Sequence, residues 1–346
     1  METLLLKADE NSIRYAGELL RRGEIVAMPT ETVYGIAADC TDGNAVAKIF
    51  AAKGRPQDNP LIVHIASLDM LEGVVAAFPP QAQKLAAAFW PGPLTMILPR
   101  GERLCDATCA GLSSVGVRFP SHPVAQAVIR AAGVPLSAPS ANLSGKPSPT
   151  NARDVFADMN GRLPLVLDGG DCTAGVESTV VSLLGEKPQI LRPGYVTKEQ
   201  MERVLGTEVL IAAAITHAVR ADEKVLSPGM KYKHYAPDAD LTLVKGDFAT
   251  FRKYVGGMPA KNVWCLCFDG EEDALPVPAL SYGGEGDGAA QAHRLFSALR
   301  ELDRRGAKTV YVRCPAEDGV SLAVYNRLLR AAAFRVVDLR GDGENR

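Results

Sequence analysis

The chain has 346 residues, of which 47% are hydrophobic and 23% are charged. Domains usually contain about 100 to 200 residues, so this length predicts about two domains, and the ordinary composition argues against a disordered or fibrous protein. The 38 basic and 40 acidic side chains give a formal charge of −2. This balance argues against a surface that is basic over the whole chain, so any anion site must be local.

Nothing in the sequence predicts a membrane segment or a resident metal. No window approaches the roughly 18 consecutive apolar residues of a membrane-spanning helix, and residues 4–6 are too short for a signal-peptide core. The seven cysteines are scattered without a C-x-x-C pair, and the five histidines have no metal-ligand spacing. P-loop, zincin and nucleophile-elbow motifs are also absent from the sequence. We expect a cytoplasmic protein with reduced thiols, no membrane association and no bound transition metal.

Helical and strand patterns alternate from the start of the chain. Residues 11–22 have the apolar periodicity of a helix, and a strand is predicted at 24–28. A capping box of Thr197 and Gln200 predicts a later helix. This alternation predicts an α/β domain over residues 1–211. Its other strands are predicted at 61–66, 94–98, 115–119, 134–138, 163–167, 178–184 and 189–191.

The pattern changes after this domain. Residues 212–240 show neither helical nor strand periodicity, and we interpret them as a linker. Residues 241–346 are predicted to form a smaller Rossmann-like α/β domain. The Gly-rich segment 283–288 lacks dinucleotide-binding spacing and does not follow a convincing strand, so a flexible loop is favoured over a dinucleotide site. In this domain strands are predicted at 241–245, 263–268, 309–313 and 335–339, and helices near 289–304 and 320–332.

Two polar segments of the first domain are candidates for binding. Residues 29–35 follow a predicted strand and hold Thr30, Thr32 and a tyrosine. Ligands commonly bind at strand ends, and the alternative is an ordinary strand-to-helix turn. Farther on, Lys53 and Arg55 follow a predicted helix in a non-helical segment. These cations either converge on one oligophosphate or simply favour the helix C-terminus and face water.

Two predicted strands carry titratable or charged side chains among apolar neighbours. His64 shares a strand face with Ile62, and a lone strand histidine is usually a satisfied core residue. Arg118 shares a face with Gly116 on the next such strand. Burying an unpaired charge costs several kcal/mol. Arg118 is therefore the better candidate for contacting an anion or a carboxylate.

Hydroxyl and amide groups also cluster in a Pro- and Ser-rich segment. Ser140, Asn142 and Ser148 lie there among prolines, and stiffened donors lose less entropy when a ligand binds. The alternative is an ordinary surface turn. Ser178 and Arg192 add one hydroxyl and one guanidinium beside two further predicted strands.

Taken in order, these segments resemble the YrdC-like family in its long, two-domain form. The pairing of Lys53-x-Arg55 with Ser140-x-Asn142 is similar to the family's signature, and residues 227–237 resemble the linker of the long form. The resemblance implies a twisted α/β sheet that forms a concave, positively lined cavity. It also implies condensation of L-threonine, bicarbonate and ATP, with Mg²⁺ on the nucleotide, into threonylcarbamoyl-adenylate and pyrophosphate, for threonylcarbamoyladenosine modification of tRNA.

The resemblance also assigns residues to this expected reaction. Those that would hold threonine are Thr32, His64, Arg118, Ala138 through its main chain, and Ser178. Those that would face the nucleotide are Arg55, Asn59, Ser114, Ser140, Ser148, Arg192 and Tyr235. The catalytic phosphate cradle would consist of Lys53, Arg55, Ser140 and Asn142. Tyr235 belongs to the linker, which would close over the occupied site as a lid.

Two other functions remain open at this stage. One is a double-stranded RNA-binding module of the same fold, for which threonine would be irrelevant. The other is a different carbamoyl-transfer or nucleotide-hydrolysing enzyme, because a fold does not determine a function. For the synthase, the expected partners beyond its substrates are the downstream tRNA threonylcarbamoyl transferase machinery and a weak contact with RNA.

Overall fold

The computed structural model describes residues 1–57, 59–217, 235–259 and 261–340. The chain divides into two units: the first contains Met1–Ser144 and Ser148–Ile215, and the second contains Gly145–Pro147, residues 216–217 and the described residues from 235 onwards. Much of the predicted linker, residues 218–234, lies outside the described residues. The predicted boundaries at residues 211 and 241 stay predictions.

The first unit is built around an 11-stranded mixed sheet with the order β1-β8-β2-β3-β7-β4-β6-β5-β9-β10-β11. Its strands are β1 Leu4–Lys7, β2 Val26–Met28, β3 Gly35–Asp39, β4 Ile62–His64, β5 Leu94–Pro99, β6 Ser114–Arg118, β7 Leu136–Ser137, β8 Leu165–Asp168, β9 Thr179–Ser182, β10 Gln189–Arg192 and β11 Leu210–Ile211. Its α-helices are α1 Glu10–Arg21, α2 Gly43–Lys53, α3 Pro80–Phe89, α4 Asp106–Cys109, α5 Pro123–Ala132, α6 Ala152–Met159 and α7 Lys198–Leu205.

The centre of this sheet is formed by β4, β5 and β6. β4 pairs with β6 in parallel, and β5 pairs with β6 in antiparallel orientation. Successive side chains of a strand point to opposite faces. Val63, Val115 and Val117 lie on one face, where they are buried in a hydrophobic core. His64 and Arg118 lie on the opposite face.

The predicted α/β fold is confirmed, and every strand predicted in the first domain is present with ends within two residues of the prediction. The Thr197 capping box is also present, and Gly206 ends α7 in the left-handed conformation. Two local interpretations are wrong. Residues 29–34 join β2 to its antiparallel neighbour β3, which begins at Gly35, so the segment 29–35 is not a strand-to-helix turn. Lys53 is the last residue of α2 and is not part of a non-helical segment.

The second unit contains a five-stranded sheet with the order β14-β13-β15-β12-β16, in which the paired strands run parallel. The strand β14 and the helix α8 were not predicted, and the Gly-rich segment 283–288 joins β14 to α9, so it does follow a strand. The elements are β12 Asp240–Lys245, β13 Val263–Cys267, β14 Ala279–Ser281, β15 Thr309–Arg313, β16 Val336–Asp338, α8 Phe248–Gly256, α9 Gly288–Arg304 and α10 Ser321–Ala331. Across the described parts of both units, no helix has the length and apolar character needed to cross a bilayer.

Close packing of α1 against α5 gives a first testable prediction. A Cβ atom added at Gly17 would lie 2.7 Å from the carbonyl carbon and oxygen of Ala131. Gly17→Ala should therefore lower the free energy of unfolding by about 1–3 kcal/mol, as overpacking usually does. The control is Gly43→Ala at the start of α2, where the nearest heavy atom would lie 3.9 Å away. Equal urea-unfolding midpoints for the two variants would contradict the packing argument.

Candidate active site

Polar side chains form a row across the sheet face opposite the core of β4 and β6. The strand register places Arg118 of β6 beside His64 of β4 and beside Thr95 of β5. Residues directly opposite one another on neighbouring strands share a face. All three side chains are buried, so this row requires specific partners.

The loop between β2 and β3 supplies partners for Arg118. Arg118 Nη1 donates to Thr32 Oγ1 at 2.8 Å, and Nη2 lies 2.8 Å from Glu31 Oε1. The Thr30 hydroxyl lies 2.8 Å from Thr32 Oγ1. Burial alone would raise the pKa of Glu31, but the charge and hydrogen bond of Arg118 outweigh burial and lower that pKa. The ionised Glu31 carboxylate therefore neutralises and orients Arg118.

A second network connects a predicted threonine residue with a predicted nucleotide residue. Ser178 Oγ lies 2.7 Å from Thr95 Oγ1. Arg192 donates from Nη2 to Ser178 Oγ and from Nε to the Ser178 carbonyl oxygen, both at 3.1 Å. Since Thr95 is the strand neighbour of Arg118, this network lies next to the row of buried polar groups. The structure thus brings Ser178, Arg192 and Arg118 into one region.

His64 is held as a neutral ring. Its Nδ1 lies 3.1 Å from the Ile62 carbonyl oxygen, to which a ring N–H donates. Burial and the neighbouring charge of Arg118 lower the pKa of His64 to about 3. A proton on Nδ1 makes Nε2 a hydrogen-bond acceptor. In this protein His64 is thus a neutral hydrogen-bonding group and a weak base.

The lowered pKa of His64 predicts a specific acid sensitivity. Below the unfolded pKa of about 6.5 the unfolded chain takes up a proton that folded His64 does not take up until about pH 3, so stability falls as pH falls through this window. Between about pH 7 and pH 5, the loss of unfolding free energy should be about 2 kcal/mol larger in the unmodified protein than in His64→Gln. Urea unfolding at both pH values measures this difference. Identical losses would contradict the pKa assignment.

The ammonium group of Lys53 contacts the loop after β7. Lys53 is only 3% exposed, and its Nζ donates to the carbonyl oxygens of Ser140 and Asn142, the latter at 2.7 Å. Nζ also lies 3.5 Å from Asn142 Oδ1. Three of the four residues predicted for the phosphate cradle are therefore in contact. The alternative in which Lys53 faces water is wrong.

Arg55, the fourth residue predicted for the cradle, contacts the segment that leads into β4. Its Nη2 donates to the carbonyl oxygens of Asn59 and Pro60 at 3.2 and 3.3 Å. The side-chain oxygen of Asn59 is buried and has no hydrogen-bond partner among the described residues. An unsatisfied buried polar atom costs about 1–3 kcal/mol, so this amide is well suited to a ligand that supplies the missing donor.

The remaining predicted residues of the first unit lie in β6, directly after β7 and in the segment between β7 and α6. Ser114 begins β6 on the face of Arg118, four positions away, which corresponds to about 13 Å along a strand. The Ser148 hydroxyl donates to Glu177 Oε1 at 2.5 Å. The Ala138 N–H donates to a main-chain oxygen of β4 at 3.0 Å, so its carbonyl is the group through which Ala138 would contact a ligand.

Tyr235 belongs to the second unit. Its buried ring lies 5.4 Å from the ring of Phe296, and the Arg327 guanidinium lies 5.7 Å from its centroid. The contact of Tyr235 with a nucleotide and the closure of the linker stay predictions. Residues 227–234 of the linker motif lie outside the described residues.

Sequence reasoning missed three buried polar residues of the site. Glu31 pairs with Arg118, Thr95 with Ser178, and Glu177 with Ser148. Thr95 interrupts an apolar strand, and the two glutamates are each one residue away from a predicted threonine-binding residue. These positions in the sequence could have indicated the three residues as candidates. Only the folded structure shows which charged and hydroxyl groups pair.

Comparisons with known proteins account for nearly the whole chain. A family model described as "Telomere recombination" matches residues 18–194, and a model described as "Threonylcarbamoyl-AMP synthase, C-terminal domain" matches residues 196–333. The threonylcarbamoyl-AMP synthase of Pyrococcus abyssi is 41% identical over 340 residues, covering 96% of this chain and 97% of the relative. The chain belongs to the threonylcarbamoyl-AMP synthase family. The predicted resemblance is therefore confirmed.

Further members of the synthase family support the same assignment. The enzyme of Bacillus subtilis is 42% identical over 339 residues, covering 96% of both chains. The crystal structure of Pyrococcus abyssi Sua5 complexed with L-threonine superposes with a TM-score of 0.91 at 39% identity, covering 97% of this chain and all of that one. Escherichia coli YciO, at 22% identity, shares the fold over 56% of this chain and 96% of its own, with a TM-score of 0.50. The names of the Pyrococcus abyssi and Bacillus subtilis relatives favour the synthase over an RNA-binding module.

Proposed function

We propose that this chain condenses L-threonine, bicarbonate and ATP into threonylcarbamoyl-adenylate and releases pyrophosphate. The main support for assigning residues to the two substrates is the double hydrogen bond from Arg192 to Ser178. It joins a residue expected at the nucleotide to one expected at threonine. Two substrates bound at these residues would be adjacent, which a condensation requires.

Arg118 is the proposed anchor for the threonine carboxylate. A guanidinium has five N–H donors, and within the described residues the contacts of Arg118 use three, to Thr32, Glu31 and, at 3.4 Å, the Gly92 carbonyl oxygen. The other N–H groups are available to a carboxylate. The hydroxyl and amino groups of threonine would be bound by the Ser178 hydroxyl, the Ala138 carbonyl and the neutral ring of His64.

The proposed nucleotide site follows β6 towards its start. Ser114, Gly116 and Arg118 share one face of β6. Arg55 and the unsatisfied Asn59 amide lie just before β4, which pairs with β6. Lys53 would add positive charge behind the loop that carries Ser140 and Asn142. These groups would offset the charge of the triphosphate.

The proposed reaction needs positioning and charge stabilisation more than a protein nucleophile. Neutral threonine amine combines with bicarbonate to form a carbamate with loss of water, and a carbamate oxygen then attacks the α-phosphorus while pyrophosphate leaves. Lys53 and Arg55 would stabilise the charge that develops on the phosphate oxygens. His64, with its pKa near 3, would accept a hydrogen bond and not a full proton. No covalent enzyme intermediate is proposed.

The other substrates and partners follow from this chemistry. We propose that Mg²⁺ enters as the counter-ion of ATP, and that the linker with Tyr235 covers the site because the carbamate and the mixed anhydride react with water. The product would pass to the transferase machinery that modifies tRNA, with weak contact between this chain and RNA. We place the enzyme in the cytoplasm, where its seven cysteines stay reduced.

Exchange of labelled pyrophosphate into ATP tests this function. Exchange should require threonine and bicarbonate together, and Ser178→Ala should reduce it by about tenfold or more because a charge-assisted contact is worth about 1.5–3 kcal/mol. Ser182→Ala, four residues farther along in β9, is the matched control and should retain normal exchange. Exchange that is independent of threonine, or equal in the two variants, would contradict the proposal.

A further inference from the structure

The second unit contains a hollow of about 380 Å³ at one edge of its sheet. Its walls come from the segments at or after the carboxyl ends of all five parallel strands. The polar and aromatic side chains that line it include Lys245, Asp247, Phe268, Glu285, Glu317 and Arg340. The elements that hold the residues assigned above to threonine and to the cradle belong to the first unit, so this hollow is a separate feature.

The strand order explains why a crevice forms there. β12 and β15 are neighbours, but the chain leaves β12 through α8 towards β13 and leaves β15 through α10 towards β16. These two connections run in opposite directions along the sheet, and right-handed crossovers then place α8 and α10 on opposite faces. Ligands of open α/β sheets bind at such a switch point, outside the carboxyl ends of the strands.

Arg313 fixes the rim of this crevice. It is the last residue of β15 and only 2% exposed, and it donates from Nη1 to the Gly246 carbonyl oxygen at 2.6 Å. It also contacts Glu271 at 2.9 Å and Glu285 at 3.0 Å. One buried guanidinium thus ties together the segments that follow β12, β13 and β14. A rim that is ordered in advance loses less entropy when it binds a ligand.

The lining carries both signs of charge. Lys245 Nζ lies 2.5 Å from Glu317 Oε1, with the lysine mostly buried and the glutamate more exposed. Arg340 lies at the mouth and pairs with Asp338 at 2.5 Å. The hollow therefore presents a cation and a carboxylate side by side. A ligand with one positive and one negative group would form one ion pair with Lys245 and another with Glu317, in place of the single pair that these two residues form with each other.

Phosphate is a poor match for this edge. The N-termini of α8 and α9 are capped by carboxylates, since Asp247 accepts from the Thr250 N–H at 2.8 Å and Asp287 accepts from the Ala290 N–H at 3.0 Å. A phosphate approaching either helix would meet a negative charge instead of free N–H groups. A bare metal ion is also poorly matched, because the described residues contain no group of three or more suitable ligands.

We propose that this hollow is a binding site for a small zwitterion of the α-amino acid class. Its carboxylate would contact Lys245 and Arg340, and its ammonium group would contact Glu317 and Glu285. The side chain would lie towards Phe268. This gives the second unit a ligand of its own, independently of the reaction proposed for the first unit.

Equilibrium dialysis of the full chain with each of the twenty labelled amino acids at millimolar concentration tests this site. At least one should bind, and Lys245→Met/Glu317→Leu should weaken that binding by about tenfold or more, the loss expected when charge-assisted contacts are removed. The matched control is Lys187→Met/Glu208→Leu, which removes an exposed pair of the first unit. Threonine bound only in the first unit would be unaffected by both double variants.

Cys314 provides a second measurement that needs no variant, because this residue lines the hollow and is partly exposed. Saturation with the bound amino acid should slow alkylation of Cys314, mapped by mass spectrometry, but not alkylation of the partly exposed Cys105 in the first unit. The amide and the N-acetyl derivative of that amino acid should not protect Cys314. The proposal would be overturned if the amino acid does not protect Cys314, or if no amino acid binds in a way that depends on the Lys245–Glu317 pair. Displacement of the bound amino acid by inorganic phosphate would also overturn it.

Discussion

Replacing Arg118 by methionine should lower the free energy of unfolding by about 3–5 kcal/mol, the usual loss when one partner of a buried ion pair is removed. The side chains of Arg118 and Glu31 are only 5% and 9% exposed. Without the guanidinium, the Glu31 carboxylate would stay buried without its counter-charge. Urea unfolding at neutral pH measures the loss, and threonine binding should disappear in the same variant.

A double variant separates the structural role of Arg118 from its proposed role in binding. Arg118→Met/Glu31→Gln removes both charges and should recover most of the lost stability, but it should not recover threonine binding. The pH dependence has a defined sign. With Arg118 present the pKa of Glu31 is lowered, so the pair stabilises the fold above the unfolded pKa and this contribution is lost as pH falls. The difference in the free energy of unfolding between the unmodified protein and Arg118→Met should therefore become smaller as pH falls. Full threonine binding by the double variant would contradict the assignment.

Replacing Lys53 by methionine should slow adenylate formation by about tenfold or more, because charge-assisted contacts are worth about 1.5–3 kcal/mol each. The ammonium group holds the main chain at Ser140 and Asn142, so its loss would remove a charge and loosen the loop that carries two residues proposed for the cradle. Single-turnover formation of the adenylate measures the effect.

Lys48 offers a matched control for Lys53 on the same helix. Its ammonium group pairs with Glu24 at 2.8 Å, and both side chains are partly exposed. Lys48→Met should therefore leave adenylate formation within about twofold of normal, as expected for a surface ion pair worth at most about 1 kcal/mol. Similar rates for Lys48→Met and Lys53→Met would refute the cradle assignment.

Much of the fold was predictable because local signals and packing agree. Apolar strands such as β5 and β6 are bounded by Gly or Pro, and the Thr197 capping box marks α7. β3 and β14 escaped prediction because residues such as Gly35 and Ala279 have low strand propensity. β3 pairs with the preceding strand β2 and with the more distant β7, and β14 pairs with the preceding strand β13, so their strand character depends on pairing that their own residues do not signal.

The sequence indicated the residue types of the candidate site, but it did not indicate how these side chains pair. An arginine on an apolar strand required a partner, and Arg118 was identified for that reason. Nothing local showed that the partner is Glu31, since that contact depends on the turn between β2 and β3. The contact of Lys53 with Ser140 and Asn142 likewise joins residues almost ninety positions apart. Such contacts follow from the strand order, which no sequence window contains.

A crystal structure of this chain with L-threonine and a non-hydrolysable ATP analogue would test the central assignment most directly. We expect the threonine carboxylate within hydrogen-bond distance of Arg118 and the triphosphate against Arg55, Asn59 and the loop held by Lys53, with the two ligands adjacent at Ser178 and Arg192. Threonine and nucleotide bound on separate surfaces, or a triphosphate remote from Lys53 and Arg55, would contradict it.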